Sequence, residues 1–131
     1  ERLLELAPED TAALAFLAVR ALERGDLDRA AALAPRLLEA APRDWRSHAV
    51  RGRLRLAQGE AAGWEDLEHA VELAPEDPAP RVELLYRGVE QARWAEVRHH
   101  AQALLRLEGA SPLARTKAEA ALARATQELG E

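Results

Sequence analysis

Residues 8–42 read PEDTAALAFLAVRALERGDLDRAAALAPRLLEAAP, two apolar stripes parted by a Gly-Asp turn and bounded at each end by a proline that follows alanine. In the first half, Leu14, Leu17, Ala18, Ala21 and Leu22 recur at three- and four-residue spacing, which makes one continuous helical face. Gly25 can adopt the left-handed conformation that ends a helix. Asp26 can start a second one, whose Leu27, Ala30, Ala34, Leu37 and Ala41 face back. The stretch is therefore a helix-turn-helix unit. Outward from it the pattern repeats: Arg2-Leu3-Leu4-Glu5-Leu6-Ala7-Pro8 returns as Arg36-Leu37-Leu38-Glu39-Ala40-Ala41-Pro42, then as Ala70-Val71-Glu72-Leu73-Ala74-Pro75 and Leu104-Leu105-Arg106-Leu107-Glu108-Gly109. The joints Pro8, Pro42, Pro75 and Gly109 stand 34, 33 and 34 residues apart, a period that means stacked helical repeats.

Two residues after each joint comes a helix-start residue: Asp10, Asp44, Asp77 and Ser111. Their side-chain oxygens can accept the unpaired amide hydrogens of a first turn, and Pro78 and Pro112 sit where a missing N–H costs least. Helices are thus expected to begin near residues 11, 45, 78 and 112. Gly59 and the Ala92-Arg93 pair take the place of Gly25 in the next two units, and the second unit has lost one residue between Gly59 and Gly63. Pro35, inside a second helix, removes one backbone hydrogen bond and crowds the carbonyl of Ala31, so a bend or loosening over residues 31–35 is expected. Segment 111–130 places Ala118, Ala121, Leu122, Ala125 and Leu129 on one stripe and Arg115, Glu119, Arg124 and Glu128 elsewhere, and reads as a lone first helix, which either caps the stack with a polar outer face or starts a further unit.

Composition agrees with an all-α fold. Of 131 residues 48% are hydrophobic but only 4% aromatic, strand formers are scarce, and the 31% that are charged mix in sign to a net charge of −5. That balance gives no basic footprint for nucleic acid. With no cysteine there are no disulfides and no thiolate sites. No apolar run approaches the ~20 residues of a membrane span, and the first residues carry no signal-peptide pattern, so no membrane insertion and a cytoplasmic setting are expected. The chain contains no Met and starts within a repeat helix, which reads as a piece of a longer protein.

These residues resemble the tetratricopeptide repeat, whose 34-residue pattern runs W-x2-L-G-x2-Y, then A-x3-F, then P. In the first unit Leu14, Leu17, Ala18 and Ala21 stand at the first four signature positions, with Ala30, Ala34, Leu37 and Pro42 filling the rest. The second offers Gly52, Gly63, Leu67, Ala70 and Pro75, but carries His48, Arg51 and Arg55 at its other first-helix positions. The third offers Leu84, Val97 and Leu104, with Leu85 and Gly88 at positions that usually carry a small residue and an aromatic. The resemblance implies a single domain over 1–131, an α-α superhelix wound as a right-handed solenoid of about three repeats. Residues 1–8 would end a preceding repeat helix, 9–42, 43–75 and 76–109 would be the repeats, and 110–131 the C-terminal cap.

It further implies a protein-interaction module that binds a peptide or helix of another protein in a concave groove lined by first helices. Carried over position by position, the groove is Ala12, Ala15, Val19 and Leu22, then Arg46, Ala49, Arg53 and Leu56, then Ala79, Val82, Tyr86 and Val89. Arg46 and Arg53, seven residues apart, would point the same way and suit an acidic, apolar segment. The pattern by which some members clamp an acidic C-terminus is missing, since its positions hold Ala15, Val19, Val50, Ala79 and Glu83.

No catalytic constellation is legible. Only Ser47, Ser111, Thr11, Thr116 and Thr126 carry aliphatic hydroxyls, and neither a nucleophile elbow nor a phosphate-binding glycine loop occurs. Glu96 and His100 have ligand spacing, but adjacent His99 and His100 diverge by about 100° on a helix, so the pair is expected on the outer face, solvated, with no metal. His69 after Glu65 reads as an exposed ion pair. Trp64 and Trp94 are expected in packing and Trp45, at a helix start, partly exposed. The expectation is no enzyme and no cofactor. Two rival readings are self-association through the groove or through an open end, such as the apolar edge at Leu3, Leu4 and Leu6, and a regulatory arm of an enzyme whose catalytic domain lies elsewhere.

Overall fold

The computed structural model describes residues 10–131, and the leucines at 3, 4 and 6 lie outside that range. The described residues are all-α: seven helices and no strand. They gather into two compact units, one ending at Leu73 and the other starting at Ala74.

The N-terminal unit contains α1 (Thr11–Glu23), α2 (Leu27–Ala40), α3 (Trp45–Ala57) and α4 (Gly63–Leu73). Helices begin at 11 and 45 because Asp10 and Asp44 accept hydrogen bonds from the amides of Ala13 and Arg46, at 3.1 and 3.0 Å. Asp26 does the same for Arg29 at the start of α2. Gly25 at φ +73° and Gly59 at φ +80° turn the chain between paired helices, and Asp26 N–H and Glu60 N–H close the turns on the carbonyls of Ala21 and Arg55. The core is the predicted stripe: Leu14, Ala18, Ala21, Ala30, Ala34 and Leu37 pack with Leu33, Val50 and Leu54.

Helix α2 runs unbroken from Leu27 to Ala40 with Pro35 inside it, so the loosening expected over 31–35 does not interrupt it. Pro35 and Ala31 both lie on the exposed side, where solvent can reach the carbonyl that lacks its helical donor. Pro35→Ala should therefore raise the melting temperature, since a helix-interior proline costs ~3 kcal/mol; a variant that melts lower would mean that the proline shapes the packing of Leu37.

Helices α3 and α4 approach most closely at two glycines. A Cβ on Gly52 would stand 2.8 Å from the Gly63 carbonyl oxygen, and one on Gly63 would stand 2.5 Å from that of Gly52.

The C-terminal unit contains α5 (Pro78–Glu90), α6 (Trp94–Leu105) and α7 (Pro112–Glu128). Asp77 and Ser111 cap α5 and α7 through the amides of Ala79 and Ala114, at 2.9 and 3.1 Å, with Pro78 and Pro112 as first helical residues. Between α5 and α6 the left-handed residue is Ala92, at φ +56°, a conformation that strains a residue with a Cβ. Leu85, Val97, Ala101 and Leu104 form the core with Ala114, Ala118, Ala121 and Ala125. Alanines let α7 lie close against its neighbours. Arg115, expected on a polar outer face, is instead half-buried and donates to the carbonyls of Leu105, the last residue of α6, and Leu107 just past it, both at 3.0 Å. Leu129, expected on the stripe, is exposed because the helix ends at Glu128.

Candidate functional site

The twelve residues expected to line a groove divide between the two units. In the N-terminal unit Ala15 and Ala49 are buried. Val19 and Leu22 pack against the core, Leu56 is half-buried, and Ala12 is exposed. Arg46 folds back on its own cap: its guanidinium meets the Asp44 carboxylate at 2.7 Å. That hydrogen bond holds the Asp44 carboxyl below its ordinary value and raises the guanidinium in turn. Arg53 is half-buried two turns further along α3.

The three positions at which the second unit departs from the repeat pattern make a polar seam between α3 and α4. Arg51 donates to one oxygen of Asp66 from Nε and Nη2, at 3.2 and 2.8 Å, and Arg55 to the other from Nη1 at 2.9 Å. The Asp66 side chain is only 7% exposed. His48 is buried, with Nε2 at 2.7 Å from the Pro42 carbonyl and its ring edge-on to His69, centroids 4.5 Å apart. His69 is exposed, as expected, but its ion-pair neighbour is Glu72, at 3.6 Å, and not Glu65. Buried charges need such pairing, and Asp66 was invisible from sequence because it lies 15 and 11 residues from its two arginines.

The C-terminal unit does bring its predicted residues together. Val82, Tyr86 and Val89 of α5 face Ala120 and Ala121 of α7 across a groove of about 580 Å³, with Leu85 at its base. A second hollow of about 410 Å³, lined by Ala79, Leu113 and Ala114, meets the first at Val82 and Lys117. The first half of α5 thus lines the groove with the first half of α7, and the last with the last, so the helices run side by side in parallel. Tyr86 is 61% exposed and Leu113 64%. The Arg87 guanidinium lies 4.3 Å from the centre of the Tyr86 ring. The α7 wall lies outside the twelve expected positions, which stop at the third unit, although the segment itself reads as a first helix. Continuing the first-helix register into it gives Leu113, Thr116, Ala120 and Ala123, of which Leu113 and Ala120 line the groove.

Other candidate chemistry is placed by packing. His100, expected in solvent, is buried because it falls on the α6 face that carries Val97, Ala101 and Leu104; His99 is exposed, and the rings stand edge-on, 4.9 Å apart. Glu96 pairs with Arg93 at 3.0 Å. Among the described residues no three His, Cys, Asp or Glu side chains could hold a metal. Trp64 is buried and donates from Nε1 to Glu68, Trp94 is half-buried beneath the Arg124 guanidinium at 5.0 Å, and Trp45 is half-buried. Ser47 donates to the Ala41 carbonyl at 2.7 Å. No described helix is long and apolar enough to cross a membrane. Neither the protein-family models nor the curated proteins contain a match to this chain.

Proposed function

We propose that the chain is a protein-interaction module that binds an apolar helix or peptide of a partner protein in the α5–α7 groove, and that its helix pairs stack as a tetratricopeptide-like right-handed superhelix. The observation that carries the binding reading is Tyr86, 61% exposed in the middle of a groove lined mainly by valine, leucine and alanine, with Glu90, Lys117 and Arg124 as its charged residues. A large aromatic in a concave apolar surface is a poor solvation arrangement and a good anchor for a partner side chain. The regular phase of the helix caps supports the repeat reading. The left-handed turns support it too: Gly25, Gly59 and Ala92 stand 34 and 33 residues apart.

A photoreactive phenylalanine analogue at position 86 should capture the partner, while the same group at exposed Gln102 on α6 should not. Tyr86→Glu should then weaken that partner by roughly thirtyfold, the loss of about 2 kcal/mol typical of an interface anchor, with helicity unchanged because the side chain is mostly exposed. Capture of the same proteins from both positions, or a Tyr86→Glu variant that binds as tightly as wild type, would overturn the reading. If the captured partner is a second copy of this chain, the module is a self-association surface.

A further inference from the structure

The two walls of the groove carry charge differently. On α5 the carboxylates of Glu83 and Glu90 are both engaged by Arg87, which stands between them at 3.5 and 2.8 Å. On α7 the charged groove residues are Lys117 and Arg124. Lys117 has no ion-pair partner among the described residues. Arg124 pairs with Glu128 four residues on, both of them substantially exposed, a kind of pair that is worth little and exchanges readily. Lys117 and Arg124 are seven residues apart, two helical turns or about 10.5 Å, on the same face. Glu83 and Glu90 repeat that spacing on the opposite wall.

We propose, resting on the groove reading above, that the occupant is an amphipathic α-helix whose apolar stripe is edged on one side by two carboxylates seven residues apart, which meet Lys117 and Arg124. A helix with a seven-residue repeat presents one edge charge every two turns, in step with the α7 wall. In an extended peptide the side chains of one face stand about 6.6 or 13 Å apart, neither of which matches the ~10.5 Å between the two cations, so the spacing favours a helix. The charges also fix which edge of the docked helix faces α7, because the reverse placement sets acid against Glu83 and Glu90 and leaves Lys117 unmatched.

The test uses three fluorescently labelled peptides of about three heptads each. They share one Leu/Ala stripe and differ only at the edge positions, which hold Glu, Gln or Lys. The full chain should bind the Glu peptide about fivefold more tightly than the Gln peptide at low salt, as two exposed ion pairs allow, and the Lys peptide least. The order should collapse near ~0.5 M salt. Lys117→Glu with Arg124→Glu should reverse it; Lys117→Glu alone, which leaves Arg124 on Trp94, should remove most of the preference should the double variant lose helicity. Equal binding of Glu and Gln peptides that still depends on Tyr86 overturns the charge register and leaves the groove reading standing. Binding that ignores Tyr86→Glu, or no binding of any peptide, overturns both.

Discussion

Gly63→Ala should destabilise the N-terminal unit by about 3 kcal/mol or more, the upper range for forcing extra volume into a packed interface. Glycine-to-alanine changes in a helix ordinarily stabilise by roughly 0.5–1 kcal/mol, so the expected sign is opposite to the default. The reason is local. The added Cβ would lie 2.5 Å from the Gly52 carbonyl oxygen and 2.9 Å from the Leu56 amide nitrogen, and since both are backbone atoms α3 and α4 would have to move apart. Gly52→Ala meets the Gly63 carbonyl oxygen at 2.8 Å and should behave alike, whereas Gly109→Ala meets nothing within 4 Å. Urea unfolding followed by the fluorescence of buried Trp64 measures this; a Gly63→Ala midpoint at or above wild type would show that the helices are not in glycine-dependent contact.

Asp66→Ala should cost about 3 kcal/mol, the lower end of the range for removing one member of a buried ion pair. One carboxylate with 7% exposure pairs with two guanidinium groups, and each arginine side chain remains 35% exposed, which moderates the loss. The effect should be asymmetric. Arg51→Gln leaves Asp66 with its 2.9 Å bond from Arg55 and should cost only about 1 kcal/mol, near the value of a single hydrogen bond. Paired unfolding curves test this, and equal losses from the two variants would mean that Asp66 is not the centre of the seam.

Much of this fold is legible in sequence because its decisive signals are local. Asp10, Asp44, Asp77 and Ser111 each satisfy an amide two or three residues away, so the helix starts follow from neighbours in the chain. Gly25 and Gly59 mark turns for the same reason; Ala92 adopts the left-handed conformation without glycine because its position between paired helices demands it. What sequence could not place depends on partners far along the chain. His48, Arg51 and Arg55 look like departures from a repeat until Asp66 is found opposite the two arginines. His100, by contrast, is a local miss: it shares the α6 face of Val97, Ala101 and Leu104, a periodicity that reading it together with adjacent His99 obscures. Of the eight expected groove positions in the N-terminal unit Ala15 and Ala49 are buried, while Val82, Tyr86 and Val89 of the C-terminal unit face an α7 wall that the expected set, stopping at the third unit, does not include.

The central claim, that the α5–α7 groove is where this chain meets a partner, is tested most directly by backbone amide shift mapping. The isotopically labelled chain would be titrated with the acidic-edged helical peptide, with Tyr86→Glu as the control. The groove account predicts that the largest changes fall on Val82, Tyr86, Val89, Lys117 and Ala120, and that they vanish in Tyr86→Glu. Changes centred on α1–α4, or changes on α5 and α7 that survive the substitution, would contradict it.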